Sequence, residues 1–222
     1  MNENLTIGKL FDLNETVAGD YLGGFVYPWE ALSGIGELIL SIGKNLSEDK
    51  YEKRGDDIWI AKSAHVFESA YIKGPCIIGE NTEVRHCAFI RGNALVGSDC
   101  VVGNSTELKN VILFNHVQVP HYNYVGDSIL GAYAHMGDGS ITSNVKSDKK
   151  NIVIKDGTTR IETGLRKIGA FLGDHVEIGC GSVLNPGSLI GRGTIVYPLS
   201  SVRGAVPEKS IYKGRGEIAE LN

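Results

Sequence analysis

Between Gly103 and Asn144 the chain collects side chains that can move a proton and hold an anion. His121 follows Val119-Pro120, and Lys109, His116, His135 and Asp138 lie within the same stretch. An ordinary imidazole has a pKa of about 6.5, so it can accept a proton at neutral pH and serve as a general base. His121 is the candidate for that role; the plainer alternative is a corner residue that follows a proline. Arg91 stands eighteen residues before Lys109. A guanidinium fork beside a lysine point charge suits a phosphate, provided the chain coils with that period; otherwise the two are solvated surface charges.

The elements around these residues supply the period. Ile60, Val66, Ile72, Ile78, Val84, Ile90, Val96, Val102 and Leu108 recur every six residues. Four positions after most of them comes a small residue, among them Ala64, Ala70, Cys76, Thr82 and Ala88. Gly79, Gly97 and Gly103 follow the aliphatic residue directly in several units and are expected to permit the turn backbone. Repeats of this kind read as a parallel β-helix: three hexads make a coil, and each coil buries its inner face on the next. Equivalent positions then stack about 5 Å apart, which brings Arg91 and Lys109 to one phosphate. The register slips by one residue at Leu113 and again at Leu130, flanking His121, and resumes with Leu172, Ile178, Leu184, Ile190, Val196 and Val202. Residues 145–167 are too polar for a solenoid face and read as a projecting loop with a short hairpin around Ile152–Ile154 and Asp156-Gly157.

Ahead of the ladder, residues 1–56 read as an extension. Pro28 suits a first helical turn, and Ala31, Leu32, Ile35, Leu38, Ile39, Ile42 and Leu46 give one apolar helical face. Gly34, Gly36 and Gly43 weaken that helix, so packing must hold it. Residues 47–56 read as a charged linker, and 57–222 as the β-helix domain with its loop at 145–167.

Composition excludes several classes. With a net charge of −4 a general nucleic-acid-binding surface is not indicated, although net charge says nothing about local clustering. No signal peptide or apolar membrane span is legible. Cys76, Cys87, Cys100 and Cys180 form no Cys-x-x-Cys pair, so no metal site is expected, and free thiols suit a cytoplasmic protein. Cys180, with nothing in its hexad to activate it, reads as a buried packing residue.

The hexads resemble the hexapeptide-repeat acyltransferase superfamily, whose fold is a left-handed parallel β-helix. The block around His121, with Gly126-Asp127 and Met136-Gly-Asp-Gly-Ser-Ile-Thr-Ser-Asn144, is more specific. It is similar to the acetyltransferase half of bifunctional enzymes of UDP-N-acetylglucosamine biosynthesis (N-acetylglucosamine-1-phosphate uridyltransferase/glucosamine-1-phosphate acetyltransferase) and to related sugar-phosphate nucleotidyltransferases. The resemblance covers about residues 60–214. It implies His121 as catalytic base, Tyr124 and Asn144 on the sugar, Arg91 and Lys109 on its phosphate, and Lys150 reaching in from the loop. It implies acetyl-CoA as co-substrate, with Asp138 and Gly139 beside it; apart from the resemblance, Lys209, Lys213 and Arg215 near the C-terminal coil are the candidates for its phosphates, the alternative being an ordinary basic tail. His135 stands where the family has a substrate-binding asparagine, Val145 where it has a second tyrosine, and Asp138 where it has a small residue.

The function expected on these grounds is that of a homotrimeric N-acetyltransferase acting on an amino-sugar 1-phosphate, with a backbone N–H near Gly137–Gly139 for the oxyanion. The rival is a non-catalytic β-helix that binds a sugar nucleotide, or that assembles with a separate nucleotidyltransferase chain; the departures at His135, Asp138 and Val145 favour it, and the retained His121, Arg91 and Lys109 oppose it.

Overall fold

The six-residue period becomes a stack of coils in which each short strand pairs in parallel with the strand one coil away. Ile60 pairs with Ile78 and Ile78 with Val96, both eighteen residues on. The computed structural model describes residues 3–221. About 37% of it is strand and 14% helix, forming a β-solenoid of about nine turns. The expected slips are visible as coils one residue shorter: Val102 pairs with Val119, Leu108 with Val125 and Leu113 with Leu130. Leu130 next pairs with Leu172 and Met136 with Ile178, so the chain leaves the stack after Asn144 and returns one coil further on.

The aliphatic positions point inward and most are sealed; Ile78, Val84, Ile90, Val102, Leu108 and Leu113 are all buried. The small positions have a second use. Thr82 Oγ1 donates to the Gly97 carbonyl and accepts from the Cys100 amide, and Thr106 makes the matching pair with Val119 and Asn123. The hydroxyls thus satisfy backbone groups that the corners take out of the ladder.

The glycines work differently from the expectation. Gly79, Gly97 and Gly103 are not in the left-handed region; that conformation falls on Asn81, Asp99, Ser105, His116 and Tyr122 among others. A Cβ on Gly79 would strike the Gly97 backbone, and one on Gly103 the Pro120 carbonyl. These glycines therefore allow coils to approach; they do not free a turn.

Residues 3–43 form a strap along one face of the prism, sharing its core. Lys9 Nζ meets Glu208 at 2.8 Å, Leu10 and Asp12 bond Asp174, Glu15 accepts from the Asn115 amide, and Leu32 accepts from Asn110. The expected single helix is divided: Pro28–Gly34 is a 3₁₀ helix and Ile35–Gly43 an α-helix. The cause is Tyr21, whose hydroxyl donates to the Ala31 carbonyl at 2.7 Å, the acceptor that an α-helical Ile35 N–H needs. Gly34 gives Tyr21 room, Gly36 admits Asn93 and Gly43 admits the Trp59 ring.

The charged stretch after the strap is not all linker. Tyr51–Lys53 pairs antiparallel with Ile58–Ala61 and covers the first coil, as Ser210–Gly214 with Glu217–Glu220 closes the last. In the loop, Val153–Asp156 and Thr159–Glu162 form the expected hairpin. Its base does not project. Ile152 and Ile154 are buried, packed over Gly187, where a Cβ would touch both.

Candidate functional site

The strand Glu107–Leu113 lies beside Tyr124–Leu130, with Glu107 opposite Tyr124 and Lys109 opposite Gly126. Gly126 has no side chain, so the Tyr124 ring folds across it; a Cβ there would meet the ring. Asn144 Nδ2 reaches the Tyr124 hydroxyl at 3.0 Å and Asp127 Oδ2 at 2.6 Å. Asp127 is the centre of this network. It accepts from Lys109 Nζ at 2.8 and 3.1 Å and from Asn110 Nδ2 at 3.0 Å, and only 4% of it is exposed. Burial, with Asp127 and Glu107 nearby, raises the Tyr124 pKa, so the phenol stays protonated. Its oxygen already accepts from Asn144, leaving its O–H to donate.

The resemblance implies Lys109, Tyr124 and Asn144 at one site, and in the structure they join one network. The pattern does not show the role of Asp127. The available signal was conformational: Asp127 sits at φ 49, a region that Asp and Asn tolerate, one shortened coil above Asn110. The pattern also supplies two cations without their partners. Lys109 is paired with Asp127, and Arg91 Nη1 meets Glu107 Oε1 at 2.7 Å. The cluster is therefore close to neutral, and an arriving phosphate must compete with two carboxylates.

His121 ends the strand Gln118–His121, one corner away from Tyr124. The corner is held from inside by Asn123. Its Oδ1 accepts from the His121 amide at 3.1 Å, and its Nδ2 donates to the Gly137 and Ser140 carbonyls at 2.9 and 3.1 Å. The His121 carbonyl accepts from Gly139, and that of Asp138 accepts from Gly181. His121 thus stands in a vertical column, with Asn104 one coil below and Asp138, then Cys180, above. Cys180 is exposed at this corner, contrary to the buried packing role expected for it, because its hexad position falls on the turn. The His121 residue is exposed, and among the described residues its ring has no hydrogen-bond partner.

The amides expected near Gly137–Gly139 are mostly engaged. Gly137 N–H donates to Ile178 and Gly139 N–H to His121. Among the described residues, only the Asp138 amide of that turn has no partner.

Other candidates lie elsewhere on the chain. His135 pairs in register with Gln118, at the opposite end of the His121 strand, and its Nδ1 is 2.8 Å from Glu177 Oε2. Three residues of strand span about 10 Å, so one chain does not bring His135 to the Asp127 network. Lys150 is exposed on a turn closed by Asp148. Lys213 and Arg215 line a hollow with Leu199, at the C-terminal end of the His121 corner. Lys209 stands at a different corner, bonded through its amide to Arg192.

With this geometry in view, residues 72–211 match the family described as the GMPPB C-terminal domain. The chain is 30% identical over 198 residues to a bifunctional sugar-1-phosphate nucleotidylyltransferase/acetyltransferase of Sulfurisphaera tokodaii, covering 87% of this chain and 47% of that protein. It is 30% identical over 217 residues to the bifunctional protein GlmU of Methanococcus maripaludis, covering 96% of this chain and 52% of the relative. The chain thus spans about half the length of these curated relatives. Among solved structures, PerB from Caulobacter crescentus, with CoA and GDP-perosamine, aligns at TM-score 0.39 and 18% identity, over 84% of this chain and 67% of that one. Among the described residues, no helix is long and apolar enough to cross a membrane.

Proposed function

The chain belongs to the family of the GMPPB C-terminal domain, and from that membership we propose that it is an acetyl-CoA-dependent N-acetyltransferase acting on an amino-sugar 1-phosphate. The observation that supports this most is the network of Lys109, Asp127, Asn144 and Tyr124 one corner from the exposed His121. The Sulfurisphaera tokodaii relative, named for both sugar-1-phosphate nucleotidylyl transfer and acetyl transfer, supports the substrate class.

In this reading the sugar phosphate displaces Glu107 and Asp127 from Arg91 and Lys109, and Tyr124 and Asn144 hold sugar hydroxyls. The acceptor amine attacks the thioester carbonyl while His121 takes its proton. The Asp138 amide, free of the ladder, suits the developing oxyanion. Collapse expels the CoA thiolate, which receives a proton, and leaves the amide. Release of free thiol from acetyl-CoA, measured against a panel of amino-sugar phosphates, tests the whole reading; no release with any of them rejects it.

The phosphate contact has its own test. Lys109→Ala should weaken binding of the sugar phosphate by about 1.5–3 kcal/mol, the range for hydrogen bonds to charged groups, and hardly change binding of the unphosphorylated sugar. Glu107→Gln should act in the opposite sense, because it releases Arg91 from its carboxylate. Titration calorimetry with both ligands reads this; equal losses for phosphorylated and plain sugar would count against the contact.

A single chain leaves His135 away from the network, and among the described residues Lys150 makes no hydrogen bond to it, which a neighbouring copy would remedy. The expectation is a homotrimer, checked by light scattering at micromolar concentration, where a stable monomer is the contrary result. The neutral cluster favours a second reading, a β-helix that binds a sugar nucleotide without catalysis, alone or beside a nucleotidyltransferase. Sugar-nucleotide binding without thiol release distinguishes it.

A further inference from the structure

One corner of the prism carries a column of rings that the proposed reaction does not use. His116 and Tyr133 stack at 4.3 Å with planes 10° apart, and Tyr133 and His175 at 4.9 Å with planes 7° apart. Each residue is left-handed, and each takes its place through an amide bonded to the coil below: His116 to Ser98, Tyr133 to Asn115, His175 to Ala132. The next rung continues the same pattern, Gly193 N–H to Asp174 and Lys209 N–H to Arg192. Gly193 is also left-handed, but it carries no ring.

The column therefore runs ring, ring, ring, gap, lysine. His175 is exposed. Around the point where a Gly193 Cβ would sit, and apart from its chain neighbours, Lys209 Cγ at 3.9 Å is the sole atom within 4 Å among the described residues. Two rungs separate His175 from Lys209, about 10 Å. A planar ring touching both sides needs about 7–8 Å. Such a ring would continue the stack on His175, and Lys209, whose Cγ lies nearest that point, carries an ammonium that suits both a π-face and an attached phosphate.

We propose that the gap at Gly193 is a nucleotide-base site, in which a planar heteroaromatic base stacks on His175 beneath Lys209. The choice of an adenine nucleotide as its ligand rests on the proposed use of acetyl-CoA; the ring-sized opening does not. The base of a sugar nucleotide has the same chemistry, and the test separates the two.

The experiment is calorimetric binding of 3′,5′-ADP, and separately of UDP, to the wild-type chain and to two variants. Gly193→Asn fills the gap with a planar amide at little backbone cost, since Asn81 already occupies the same column at φ 58. His175→Ala removes the stacking face. The expected result is that wild type binds 3′,5′-ADP, that Gly193→Asn weakens it tenfold or more, and that His175→Ala weakens it about 5- to 100-fold, the usual worth of one base on one ring. Should UDP rather than 3′,5′-ADP show this pattern, the base site stands and its ligand is a sugar nucleotide. Thiol release from acetyl-CoA is followed in parallel. Variant-sensitive nucleotide binding without thiol release rejects the acetyltransferase reading and keeps the base site. Thiol release with the same acetyl-CoA KM in all three proteins overturns the adenine assignment; no binding of either nucleotide to wild type, or binding that neither variant changes, overturns the base site. Should Gly193→Asn fail to fold, His175→Ala decides alone, since its ring is at the surface.

Discussion

His121→Ala should lower acetyl transfer by about 10²–10⁴-fold, the usual worth of a positioned general base, and leave the fold nearly untouched. The two halves of that expectation have separate causes. The corner is held by Asn123, whose amide spans the Gly137 and Ser140 carbonyls, and by main-chain groups of His121 that alanine keeps. The imidazole is exposed and contributes no hydrogen bond among the described residues, so its removal should cost within about 0.5 kcal/mol. Turnover depends on the ring itself, because the attacking amine must lose a proton. Equal turnover by both proteins removes His121 from the mechanism.

Gly103→Ala should act in the reverse manner, destabilising the protein severely and abolishing activity as a consequence. The new methyl would sit on the Pro120 carbonyl, a backbone atom with no rotamer to yield. Pro120 precedes His121, and Val102 and Val119 beside them are sealed in the core and paired. Relief requires two coils to part, which breaks ladder hydrogen bonds and opens the core. Overpacking costs about 1–3 kcal/mol where side chains can shift, so a backbone collision should reach at least the upper end. For a chain of this size about 3 kcal/mol lowers Tm by roughly 6–12 °C. Thermal unfolding followed by circular dichroism measures it. A Tm within about 2 °C of wild type, less than the shift expected for 1 kcal/mol, would mean that the coils part freely there, contrary to the close approach described.

These substitutions also mark what could be read from residues alone. The six-residue aliphatic recurrence determined a β-helix, because a strand's inner face can be buried here only by an identical neighbour, and that demand repeats in the sequence. The slips at Leu113 and Leu130 determined where two coils shorten, and the polar run after Asn144 determined where the chain leaves the stack. The same period put Arg91 and Lys109 on one face, since residues separated by a whole coil must stack, whereas Tyr124 and Asn144 joined them only through the family resemblance of their motifs.

The rest depends on contacts between residues far apart in the chain, which leave no period. Asp127 gathers Lys109, Asn110 and Asn144, and Glu107 takes Arg91; pairing is a matter of side-chain reach across coils, so the cations could be counted but not their neutralisation. Glycine roles were hidden for a similar reason. The letter is the same whether a turn needs a left-handed residue or a neighbouring coil needs room, and only the position of Pro120 over Gly103 separates the two. The strap is the largest such case. Its apolar helical spacing was legible, but the Tyr21 bond that divides the helix and the Lys9, Asp12 and Glu15 contacts that lay it along the prism arise from tertiary packing.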